Sequence, residues 1–218
     1  MAVQQFSNAI PSYHKLGIMG GTFDPIHCGH LSIAKSVSAL FSLEKVIFVP
    51  SPCPPHKSIT EIAPVAHRFA MVQLAITDYS YFAASRIEID RDCPTYAGDT
   101  IEEFKKIYAN KELYFITGLD ALLTILNRNH SKTYPGICQF IAASRPGYDT
   151  EIIKKDIPEE FLQYVSIVED LSVEISSTDV RRKIRVGEPV DHLVPPAVID
   201  YIEQWNLYKN NLKYSRLC

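Results

Sequence analysis

The sequence predicts an α/β protein whose core is a doubly wound, mostly parallel sheet. Short apolar runs of the kind found in strands buried on both faces recur within 16–19, 45–49, 113–116 and 139–143. Stretches with apolar residues at helical spacing lie between them, the alternation that builds βαβ units. Sheets of this class bind ligands beyond the C-terminal ends of their strands, and Gly20-Gly21 and Gly118 fall there.

A chain of 218 residues suits one domain with a sizeable core. We expect a loosely ordered extension over 1–15, one domain over 16–208 and a tail over 209–218. The composition, 46% hydrophobic and 22% charged, is ordinary for a globular protein, and a formal net charge of −3 argues against bulk nucleic-acid binding. No apolar run is long enough to span a bilayer, and the first fifteen residues carry no secretory pattern. The five cysteines are scattered without a Cys-x-x-Cys pair, which points to a reduced, cytoplasmic setting. The oligomeric state is left open, a homo-oligomer included.

The first strand ends at Gly20-Gly21-Thr22-Phe23, turns at Asp24-Pro25, and enters a helix, Leu31 to Phe41, behind His27 and His30. Glycines let a backbone approach a ligand closely, and a helix start presents N–H groups and a positive dipole end to an anion. Two histidines one turn apart can donate to phosphate oxygens; a zinc pair would need further ligands, which the neighbourhood does not offer. The stretch Gly20–His30 resembles the signature of the nucleotidylyltransferase superfamily, whose His-x-Gly-His is here His27, Gly29 and His30. That resemblance implies a Rossmann-like fold.

The second strand stops at the proline-rich 50–57, where Pro54-Pro55 would hold His56 and Lys57 over the sheet end. Pro-Pro-His-Lys resembles an element of the bacterial nicotinate-nucleotide adenylyltransferases. Pro64 opens a helix with Val65, Phe69, Val72 and Ile76 on its apolar stripe; Arg68 lies off that stripe and reads as solvated. A strand from Phe82 to Arg91 follows, then a loop and a helix with Thr100 and Glu103 at capping-box spacing. In the family this loop reads Arg-x-Gly-Pro-Ser-Tyr-Thr-x-Asp-Thr and helps cover the nicotinate ring. Here Cys93 stands for the Gly, Thr95 for the Ser and Ala97 for the Thr, and Tyr96 matches.

Gly118-Leu119-Asp120 closes the next strand. Asp120 is a cap for a helix over 121–126 or, by resemblance, the aspartate that holds a ribose hydroxyl. Downstream the family carries a Trp against the ring, and Arg128 occupies that position here. The nicotinate ring is cationic in its mononucleotide, so Arg128 is expected to pair with the ring carboxylate or face solvent. Arg145, in Arg-Pro-Gly, is an adenine-side candidate by resemblance. Residues 152–161 read as polar surface, broken by Pro158.

The second strong stretch runs from Ile175 to Arg181. Ser177 or Thr178 can cap a helix that points N–H groups at an anion, and Arg181 can reach a phosphate with a fork of donors. It resembles the superfamily's Ile-Ser-Ser-Thr-x-Ile-Arg. Gly187 ends this helix. Leu193-Val194-Pro195-Pro196 then opens a terminal one with Val198, Ile202 and Trp205 on its stripe, closed by Leu207-Tyr208 as in the nicotinate family.

The resemblance implies attack by the phosphate of nicotinate mononucleotide on the α-phosphorus of ATP, giving the dinucleotide and pyrophosphate. His27, His30, Lys57 and Arg181 are its expected catalytic residues. ATP would meet Gly20, Gly21, Thr22, Phe23, Gly29, Gly118, Asp120, Arg145, Ser177 and Thr178. The mononucleotide would meet Thr95, Tyr96, Ala97 and Arg128. Mg²⁺ would be carried on substrate phosphates without a protein cage. The competing readings are an adenylyltransferase acting on nicotinamide mononucleotide or phosphopantetheine, and a nucleotide-binding regulator without turnover.

Overall fold

The computed structural model describes residues 15–53, 62–126, 134, 136–144, 154–169 and 175–209. Among them, six strands form one all-parallel sheet: β1 (Lys15–Gly21), β2 (Lys45–Pro50), β3 (Phe82–Ala84), β4 (Glu112–Gly118), β5 (Cys138–Ala143) and β6 (Val165–Val168). The strand order is β3-β2-β1-β4-β5-β6. The order reverses between β1 and β4, the crevice where doubly wound sheets bind nucleotides.

The apolar runs are continuous because the sheet is covered on both sides. Along β1 and β2, Met19, Val46 and Phe48 enter one core; Leu16, Ile18, Ile47 and Val49 enter the other. Helices α1 (Cys28–Phe41), α2 (Val65–Ile76), α5 (Ser177–Val186) and α6 (Pro196–Gln204) supply the first core, through Leu31, Met71, Val180 and Val198. Helices α3 (Ala97–Ile107) and α4 (Leu119–Leu126) supply the second through Ile101, Phe104 and Leu122. No helix among the described residues is long and apolar enough to cross a membrane.

Several local expectations are corrected. β3 stops at Ala84, and 86–91 forms turns in which the Asp90 N–H donates to the Arg86 carbonyl at 2.9 Å. Ile87 and Ile89 alternate like strand residues, but no neighbouring strand extends to pair with them. Helix α3 starts at Ala97, so Thr100 is not its cap. Strand β6 was not anticipated: it is four residues long, and its half-exposed pattern lacks a continuous apolar run. Phe161, expected on a polar surface segment, is buried against the second core. Trp205 is about half exposed rather than part of the terminal stripe; its ring meets that of His67 at 5.0 Å.

Candidate functional site

The site begins where β1 gives way to α1. The glycines there are demanded first by packing: a Cβ on Gly20 would meet Phe115 Cζ at 2.9 Å, and one on Gly21 would meet Phe23 Cζ at 2.8 Å. Phe23 is itself held at φ 49°, a left-handed conformation that costs a bulky residue about 1–3 kcal/mol. Its ring is 2% exposed and meets His30 edge-on at 5.1 Å. Phe23 therefore supports a histidine from beneath and offers no free face to adenine.

His27 and His30 stack with ring centroids 3.7 Å apart. The His27 backbone N–H donates to His30 Nδ1 at 3.2 Å. An Nδ1 that accepts carries no proton, so in the neutral ring the proton sits on Nε2, which becomes a donor. Gly29 keeps the space between them tight, since a Cβ there would meet His27 Nδ1 at 3.0 Å and the ring would have to shift by a few tenths of an ångström. The first amide of α1 is not turned toward an anion, as expected of a bare helix start: the Cys28 N–H donates to the Leu193 carbonyl at 2.8 Å.

The second motif docks on the first. Ser176, not Ser177 or Thr178, caps α5 by accepting from the Asp179 N–H at 3.1 Å. That frees the Ser177 hydroxyl to donate to the Pro25 carbonyl at 3.0 Å. Arg181 donates to the Asp24 carbonyl at 2.7 Å, lies 3.7 Å from the Asp24 carboxylate and reaches the exposed Thr178 hydroxyl at 3.4 Å. The ideal Cβ of Gly29 lies 3.5 Å from Ile175 Cβ. Residues more than 150 positions apart thus flank one turn.

Two charged residues outside the predicted site hold this turn. Asp24 is fully buried, and its Oδ1 accepts from the Ala63 N–H at 3.1 Å and the Tyr208 hydroxyl at 2.7 Å. Arg68, expected in solvent, is also fully buried. It donates to the carbonyls of Ala63 (2.8 Å), Thr22 (2.6 Å), Ser51 (2.8 Å) and Pro52 (3.3 Å). Burial lowers its pKa from the ordinary value, and the Asp24 and Tyr208 charges oppose that shift. The error has a physical reason: helical periodicity marks Arg68 as off the apolar stripe, but the loops after β1 and β2 cover that face.

Beside the turn, at the β1/β4 switch point, lies a cavity of about 200 Å³. Gly20, Gly21 and Thr22 line one side, Thr117 and Ile125 another, and Ser51, Thr95, Tyr96 and Ala97 the rim. Thr95 is buried and its hydroxyl donates to Glu88 Oε2 at 3.1 Å, while that of Thr100 donates to Glu88 Oε1 at 2.7 Å. Glu88, a buried carboxylate also absent from the sequence-based site, thereby anchors the rim loop. Arg91 pairs with Glu103 on the outer side. A Cβ on Gly118 would meet nothing within 4 Å, so that glycine borders open space.

The structure also corrects the expectation that the scattered cysteines are unpaired and mark a reduced setting, since two of them are joined. Cys53, after β2, and Cys93, before α3, form a disulfide with Cα atoms 6.1 Å apart. Neighbouring strands β2 and β3 bring the loops together over a separation of 40 residues, which no local spacing rule detects. His56, Lys57, Arg128, Arg145 and the Asp120 side chain lie outside the described residues, as do 1–14 and 210–218; Asp120 itself falls in the first turn of α4.

A parallel sheet in this order, with stacked histidines at the first crossover and an arginine-bearing helix docked on them, defines a nucleotide-transfer fold, and the cytidylyltransferase-like family model matches residues 18–183. The protein of Thermoanaerobacter sp. (strain X514) named "Probable nicotinate-nucleotide adenylyltransferase" is 45% identical over 90% of this chain and 95% of its own length. The protein of the same name from Desulfitobacterium hafniense (strain DSM 10664 / DCB-2) is 42% identical over 93% and 98%. The chain belongs to the cytidylyltransferase-like family and, within it, to the nicotinate-nucleotide adenylyltransferases. Among solved structures, the Plasmodium falciparum nicotinic acid mononucleotide adenylyltransferase complexed with NaAD has the same fold: TM-score 0.72, 23% identity, 89% of this chain and 97% of that one.

Proposed function

We propose that this protein transfers the adenylyl group of ATP to nicotinate mononucleotide, forming nicotinate adenine dinucleotide and pyrophosphate. The observation that carries the reading is the joint between the two motifs: Arg181 and Ser177 on the carbonyls of Asp24 and Pro25, one turn from His27 and His30. On this reading the guanidinium and the two imidazoles serve one phosphate chain.

The acceptor phosphate is already an anion, so the protein has no need of a base or a covalent intermediate. Its task is alignment, and stabilisation of the negative charge that grows on phosphate oxygens. His30 offers Nε2–H, with its ring held by the His27 N–H and Phe23. Arg181 and, by resemblance, Lys57 add positive charge; Thr178 and Ser177 complete the triphosphate side, and Asp120 and Arg145 the ribose and adenine side. The switch-point cavity receives the mononucleotide ring between Tyr96, Ala97 and Ile125. Arg128 in place of the family's Trp is assigned to the ring carboxylate.

Mg²⁺ belongs to the proposal as an ion carried by substrate phosphates. Among the described residues no group of three or more His, Cys, Asp or Glu could hold a metal. When bound, the ion would neutralise phosphate charge. A cytoplasmic setting is likewise proposed.

The test is pyrophosphate release from ATP with nicotinate mononucleotide, nicotinamide mononucleotide and phosphopantetheine offered in turn. Release is expected with the first. ATP binding without release from any acceptor would overturn the reading and leave a nucleotide-binding regulator.

A further inference from the structure

The rim of the cavity is made of two loops, each anchored from below by a different buried charge. Arg68 holds the carbonyls of Ser51 and Pro52; Glu88 holds the hydroxyls of Thr95 and Thr100. Between the loops, the Ser51 and Thr95 hydroxyls approach to 3.4 Å, a weak contact. The covalent tie is Cys53–Cys93, placed two residues beyond Ser51 and two before Thr95. Cys93 is exposed, so a small thiol can reach the bond.

We propose that the Cys53–Cys93 disulfide is a redox-sensitive positioning clasp for the acceptor nucleotide, holding Thr95–Ala97 against the Ser51 loop. The assignment of the cavity to the acceptor rests on the function proposed above. In the reduction, a dithiol gives up two electrons and two protons and closes to its own cyclic disulfide. The Sγ–Sγ bond breaks, and Cys53 and Cys93 each take up one proton and one electron as thiols. A freed rim must be ordered again whenever the acceptor binds, which weakens acceptor affinity. On the triphosphate side, the Arg181–Asp24 and His27–His30 contacts are made outside the two clasped loops.

Peptide mapping of protein alkylated without reductant should find the Cys53 peptide linked to the Cys93 peptide; two separately alkylated peptides would overturn the proposal. Dithiothreitol should raise KM for nicotinate mononucleotide about three- to tenfold, with KM for ATP and kcat within about twofold of their starting values. The Cys53→Ser/Cys93→Ser variant should show the higher KM with and without dithiothreitol. One KM across all these states would overturn the clasp, and the reductant arm on the unmodified chain decides the matter if the variant fails to fold. Amide hydrogen exchange at 95–98 supplies a readout independent of turnover: it should quicken on reduction while α1 is unchanged, and equal exchange in both states would overturn the clasp. Absence of turnover with every acceptor would defeat the functional proposal alone, since exchange still judges the clasp.

Discussion

The Tyr208 hydroxyl donates to Asp24 Oδ1 at 2.7 Å across 184 residues of sequence, fastening the end of the domain to the turn that carries both histidines. The pair is buried on both sides, Asp24 fully and Tyr208 with 4% of its surface exposed. Removing the hydroxyl leaves a buried carboxylate oxygen with one partner fewer. Tyr208→Phe should therefore lose about 1–3 kcal/mol, read as a lower urea midpoint at unchanged m-value.

His30 faces charge that grows during the reaction. His30→Ala should lower kcat by roughly 10²–10³-fold, the scale for one donor lost from a developing oxyanion, with a much smaller change in ATP affinity. Equal losses in both quantities would assign His30 to ground-state anchoring.

Gly29 tests whether imidazole placement matters apart from imidazole chemistry. The methyl of Gly29→Ala would press on His27 Nδ1 at 3.0 Å and must displace the stacked pair or the helix start. Steady-state kinetics should show kcat falling by at least about tenfold while both histidines are retained.

Arg68 is a structural cation with no solvent face. Arg68→Lys keeps the charge but cannot span carbonyls on three segments, so thermal unfolding should fall by the equivalent of about 3 kcal/mol or more. A surface role, as the helical pattern suggests, would leave the midpoint unchanged.

His67 gives a pH dependence. Burial lowers its pKa from the ordinary histidine value, and its Nδ1 lies 2.9 Å from the Tyr201 hydroxyl. With the folded value depressed, the unfolded chain binds more protons just below the ordinary value of about 6.5. This contribution is complete above that value and is lost as pH falls through the folded one. Urea titrations at descending pH should show stability declining, and His67→Gln should flatten the decline.

How much the sequence reveals depends on the range of the interaction. Apolar runs, the Gly-Gly turn, the Pro64 helix start, the Gly187 stop and the two signature stretches are encoded by neighbours within a few residues, so the order of all but the last strand and the family were legible from the chain alone. The tertiary structure decided what those elements touch: Arg68 under two loops, Glu88 beneath the rim, Asp24 between Arg181 and Tyr208, and Cys53 on Cys93. Those contacts depend on how loops and helices pack around the sheet. Periodicity indicates a residue's face, whereas burial depends on which distant segment covers that face.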